Sequence, residues 1–430
     1  MSDSLTIERI SIPSLVARHA GDAAFYWTQW DISAYSPLVG LPQLAQIDRL
    51  LMAHLDGLRV AGAAGWERTL GELVRWQGAG ETFVCALLAI ESDAAGFRLK
   101  KIWDVIRRDP RRMLRGLISA FAWADERYAK PWIKHWLSDS DVPVPLQVAA
   151  WRALRLLNSP MEIAHETLEA ALVSPYAEVR ASTCRLLGAS GGQERINVLL
   201  MDTERVVRAE AAIVGAALGR SDGLAILWKA VIALAREYAE LTGRMRRDSQ
   251  RQLERWIRHL GLMTPHGHPG VGALLDELPP RQALLFILHH GDGAYLPSVL
   301  AYLDHPDAAR LAGWVWATLT GIELERAGLC HPPTPLTGDP RPTDDLDPGL
   351  PYPDSARIHT YPLKAPDGCP ILLGLPLTEA RLPELLRMNS QALRWLVSHR
   401  FPLTPGACIN NRAKLPEQLS RMELLLEKIA

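Results

Sequence analysis

Nowhere in these 430 residues does an apolar run reach the roughly 18 residues that a membrane-crossing helix needs. No membrane association is therefore expected. Cysteine is scarce: Cys85, Cys184, Cys330, Cys369 and Cys408 are five in number, far apart, with no Cys-x-x-Cys pair. That pattern argues against a disulfide framework and against a structural zinc site. Charge of one sign is lacking too, since 47 Lys and Arg face 48 Asp and Glu. No global field draws nucleic acid or an anionic surface, so an electrostatic partner must be met by a local patch. The opening "MSDSLTIERISIPSL" has no basic segment followed by an apolar stretch, which leads to the expectation of a cytoplasmic protein.

Enzyme motifs are also missing. There is no Walker-type phosphate loop, no dinucleotide fingerprint after a strand, no Gly-x-Ser-x-Gly elbow and no His-Glu-x-x-His. "GASGG" at 188–192 resembles an elbow, but it falls at an expected helix end. No catalytic residue and no cofactor are expected. Phenylalanine, with six residues, is outnumbered by fourteen tryptophans. Trp66, Trp103, Trp151, Trp256, Trp314 and Trp316 fall in helical contexts and read as wedges between helix layers.

What is present repeats. The segments around Arg180, Arg208 and Arg310 superpose without gaps: an apolar or small residue precedes each arginine, and Gly191, Gly219 and Gly321 stand eleven residues after it. A fourth segment fits with Gln147 in the arginine place and Asn158 at the stop. Glycine and asparagine accept the left-handed conformation just past a helix end, so each unit reads as a helix with a common stop. Second helices follow at "QERINVLLM" and "GLAILWKAVIALAREYAEL", and "GAYLPSVLAYL" precedes the Arg310 unit. Reference positions step from 147 to 180 and from 180 to 208, room for one helix pair with short turns. The expectation is an all-α chain, an α-solenoid of helical repeats. It divides into an N-terminal helical cap (1–80), a solenoid (81–330) and a proline-rich arm with C-terminal helices (331–430).

An acidic loop, a Val-Arg pair, small residues and then Gly resembles a short bacterial HEAT repeat. That resemblance implies that each arginine braces an acidic residue, here Glu178, Glu204 or Asp307, and that the Gln147 unit lacks such a pair. The elements "HAGDAAFYW" and "LDGLRVAGAAGW", with "LPYPDSARI" and "ILLGLPLT" near the C-terminus, resemble an uncharacterised proteobacterial family of HEAT-like proteins. Members of that family are encoded beside type VI secretion genes. The resemblance implies a scaffold or adaptor that docks an effector or spike protein, and it carries no catalytic residues over.

At the ends, "LAQIDRLLMAHLDGLRVAG" is amphipathic and is expected to cap the first helix pair. Residues 331–357 break the helical pattern with prolines and read as a linker or an ordered arm. A short strand at "CPILLGL" and helices near Arg387, after Asn389 and over the last residues follow.

Two basic clusters stand out. One carries Arg107, Arg108, Arg111 and Arg112; the other carries Arg244, Arg247, Arg251, Arg255 and Arg258, with 247, 251, 255 and 258 on one helical face. Both are candidate partner-binding surfaces, for an acidic protein in preference to nucleic acid. The alternatives are an immunity protein that occludes a toxin and a HEAT-like glycosylase that cradles DNA. "TPHGHPG" (His266, His268) and "LHHGDG" (His289, His290, Asp292) have the residue types of a metal site. They lack an i, i+4 pair on one helix, so solvated or capping turn histidines, and no metal, are expected.

Overall fold

The computed structural model describes residues 12–157, 161–187, 192–332, 346–362, 368–388, 390–402 and 408–427. They are helical apart from one small hairpin, so the all-α expectation holds. The chain forms two compact units with their border between Leu186 and Leu187. Residues 390–395 and Ile409–Leu425 belong to the first unit, and 396–402 with Cys408 to the second. Among the described residues, no helix is long and apolar enough to cross a membrane.

The first unit contains α1 (Pro13–Ser33), α2 (Leu41–Val60), α3 (Ala63–Trp76), α4 (Ala79–Ile90), α5 (Ala95–Ile106) and α6 (Pro110–Trp123). It continues with α7 (Glu126–Ser138), α8 (Val144–Leu156), α9 (His165–Leu172) and α10 (Ala177–Cys184). Here α4 packs on α6, α6 on α8 and α8 on α10, while α5, α7 and α9 lie alongside this row. Helix starts follow local chemistry: α6 opens with Pro110, and the Asp109 carboxylate accepts from the Arg112 N–H. The amphipathic α2 buries Leu44, Leu51, Leu55 and Leu58 and packs on α1. Tryptophans wedge the layers: Trp27 stacks on Phe83 at 5.1 Å, and Trp123 meets both Phe83 and Trp30 edge-on. A β-carbon on Gly116 of α6 would overlap the Ala79 carbonyl oxygen of α4, so glycine is what lets this pair approach.

The second unit contains α11 (Gln193–Leu200), α12 (Arg205–Ala217), α13 (Leu224–Glu240), α14 (Gly243–Met263), α15 (Val271–Glu277) and α16 (Pro280–His290). After a 3₁₀ turn at Gly293–Tyr295 come α17 (Leu296–Leu300), α18 (Ala309–Thr320) and α19 (Ser355–Thr360). Then follow the hairpin of β1 (Ile371–Leu372) and β2 (Leu375–Pro376) and α20 (Leu382–Met388). Again one row forms from alternate helices, α12 on α14, α14 on α16 and α16 on α18. The last helices, α21 (Gln391–Arg400) and α22 (Leu415–Glu427), close the chain.

The aligned repeat segments all fall on helices of these rows: Gln147 on α8, Arg180 on α10, Arg208 on α12 and Arg310 on α18. Gly219 and Gly321 take φ of 83° and 76°. Gly191, Asn158 and most of "GASGG" lie outside the described residues. The arginines act differently from the expectation. Arg208 donates to the carbonyls of Asp202 and Thr203 instead of pairing with Glu204, and Arg180 donates to the carbonyl of Ser174, six residues back as in Arg208. A guanidinium thereby satisfies carbonyls of the preceding turn that no helix serves. Gln147 does the same through Val142, so that unit is braced after all. Arg310 reaches instead to the Leu350 carbonyl, and Arg281 grips Asp347 and the Asp307 carbonyl. Part of the proline-rich arm is thus an ordered element of the second unit, tied also by Cys330 bridging Pro353.

Candidate functional site

The basic cluster of α14 divides along its length. Residues 242–247 are all exposed, and Arg251 is exposed one turn further on. Arg244 lies 3.9 Å from Asp248, Arg246 covers the Tyr238 ring at 4.5 Å, and Met245 stands open between them at 62% exposure. Beyond Arg251 the helix sinks into the unit. Arg255 binds the fully buried Glu210 through two nitrogens at 3.2 and 2.8 Å, and Arg258, itself buried, pairs with Glu254 at 3.0 Å. Arg258 is therefore removed from the expected partner face, and Arg255, with 32% of its side chain exposed, is engaged by Glu210. Helical spacing fixed their direction, but exposure changes as the helix crosses the unit.

On another face of α14, about half a turn round the helix from Arg247 and Arg251, lies a cleft lined by Arg205, Arg208, Glu237, Gln252 and Trp256. Arg205 and Glu237 join in a two-bond pair at 2.6 Å. The side-chain nitrogens of Gln252 and Trp256 are buried there with no acceptor. Unpaired buried donors of this kind are costly to the fold.

In the first unit, Arg107, Arg108, Arg111 and Arg112 are all exposed where α5 ends and α6 begins. Arg107 lies 3.4 Å from Asp104, and Arg112 donates to the Trp76 carbonyl. Both clusters put cations at a helix N-terminus, where the backbone already presents unpaired N–H groups and partial positive charge. Such placement is unfavourable within the helix and favourable toward an external anion.

The histidines behave differently from the turn reading. His289 is a satisfied core residue, its Nδ1 2.8 Å from the Leu285 carbonyl; burial, first, and then Arg258 lower its pKa to about 3. His268 packs on Trp228. His266 and His290, however, stack at 4.8 Å beside Asp292, with His290 wholly buried on the last turn of α16. The expectation of solvated or capping turn histidines fails at His290, which is buried in a helix, whereas His266 does sit in a turn with part of its side chain exposed. Gly291, at φ 75°, reverses the chain between His290 and Asp292 and so brings the two side chains together. The Gly after the histidines in "LHHGDG" was the one usable signal; the partner, His266, comes from a distant loop.

Comparison with known proteins finds no matching family model, curated protein or solved structure.

Proposed function

We propose that this chain is a non-catalytic scaffold or adaptor, an α-solenoid of HEAT-like helix pairs that docks an acidic segment of another protein. The repeat reading is supported by the alternate-helix rows in each unit and by the arginine and glutamine braces that recur at the same place. The observation that carries the docking reading is the exposed, cationic start of α14, where Arg244, Arg246, Arg247 and Arg251 are open to solvent with Met245 among them. Arg247 and Arg251 meet the partner's carboxylates, and Met245 supplies an adaptable apolar contact. The N-terminal and C-terminal motifs direct the choice of partner to a type VI secretion effector or spike component.

A pull-down from native extract tests this, comparing the intact protein with the Arg247→Glu, Arg251→Glu variant. The expected result is a protein captured by the former and lost from the latter, with recovery restored by charge-reversed partner residues. Capture unaffected by the reversal, or recovery of nucleic acid alone, would reject the docking surface.

A further inference from the structure

The strongest unassigned chemistry in the second unit is the group formed by His266, His290 and Asp292. We propose that these three side chains are a binding site for a divalent d-block cation such as Zn²⁺, held by two imidazoles and one carboxylate. One ligand atom from each lies within 4.8 Å of the others. Asp292 Oδ2 is 3.4 Å from His266 Nδ1 and 3.9 Å from His290 Nε2. Tetrahedral zinc, with ligands at about 2.0–2.1 Å, separates its donor atoms by about 3.4 Å, so only a small closure completes the set.

Three further observations point to a ligand. All four ring nitrogens of His266 and His290 are buried, and their only near partners are Asp292 Oδ2, 3.4 Å from His266 Nδ1 and itself one of the three proposed ligands, and backbone groups of His290 and Gly261. Buried imidazole nitrogens without partners are costly unless something else binds them. Asp292 is oriented by its second oxygen: Oδ1 accepts from the Ala294 N–H at 3.0 Å, which leaves Oδ2 toward the rings. Outer hydrogen bonds of this sort fix metal-binding carboxylates. The backbone is held as well, because Asp292 bridges Pro370 and the Gly291 carbonyl accepts from Ile371. His290 and Asp292 are almost wholly enclosed, whereas His266 keeps a fifth of its side chain exposed.

Metal-free, full-length protein titrated with Zn²⁺ against a chromophoric chelator should take up one equivalent. His266→Ala and Asp292→Asn should each weaken uptake on the order of 100-fold or more, beyond the loss typical of an outer-shell change. His268→Ala, whose ring packs on Trp228, should leave it unchanged. Asn keeps the bond to Ala294, and His266 lies at the rim, so at least one variant retains the fold; circular dichroism of the metal-free proteins verifies this. Saturating Zn²⁺ should raise the melting temperature of the parent and not of the variants. Absence of stoichiometric uptake, or uptake that survives the double variant His266→Ala, Asp292→Asn, would overturn the site.

Discussion

Asp31→Asn is expected to reduce the unfolding free energy by about 3–5 kcal/mol, measured by urea denaturation at neutral pH. Asp31 ends α1 largely buried, and its Oδ1 accepts from Arg115 of α6 at 3.0 and 2.6 Å and also from Arg412. The amide removes the charge and leaves two guanidinium groups facing each other in a poorly solvated place. Burial raises the carboxyl pKa, but Arg115 and Arg412 outweigh it and hold the value at about 2, against 3.8 ordinarily. A depressed carboxyl pKa stabilises the fold above the ordinary value, and this contribution disappears as pH falls through the folded one. The difference between parent and variant should therefore shrink, on the order of 2 kcal/mol, between about pH 4 and pH 2. A difference that stays constant over that window would mean the triad is not what binds α1 to the C-terminal segment.

Arg255→Ala is expected to destabilise by about 3 kcal/mol, whereas Arg251→Ala, four residues earlier, should change stability by less than about 0.5 kcal/mol. The two arginines share a helical face but not an environment. Arg255 is the two-bond partner of a carboxylate with no solvent exposure, so its loss leaves Glu210 without its guanidinium, while Arg251 projects into solvent. Thermal or urea unfolding of the two variants separates these outcomes. Equal, small effects would return Arg255 to the docking face.

The helical class was legible because apolar spacing near 3.6 survives without knowledge of neighbours, as in α2, and because stops such as Gly219 and Gly321 need positive φ. The helices that carry Gln147, Arg180, Arg208 and Arg310 were found for the same reason. Three things were not legible. The arginine braces end on backbone carbonyls, which are the same at every residue and leave no trace in side-chain identity; hence Glu204 was expected in place of Asp202 and Thr203. Exposure along α14 depends on which helices cover it, so period alone could not separate Arg247 and Arg251 from Arg255 and Arg258. The meeting of His266 with His290 and Asp292 rests on two turns from different loops, a juxtaposition that no local spacing encodes.

The docking surface is the central claim, and contact at one residue tests it most directly. A photo-crosslinking amino acid placed at Met245, exposed among the arginines of α14, should trap a single protein in the native cell. The same probe at Val173, exposed in the first unit, serves as the control. The account predicts a crosslinked partner at 245 that is absent at 173 and vanishes with Arg247→Glu and Arg251→Glu. No adduct at 245, or one indifferent to the charge reversal, would contradict it.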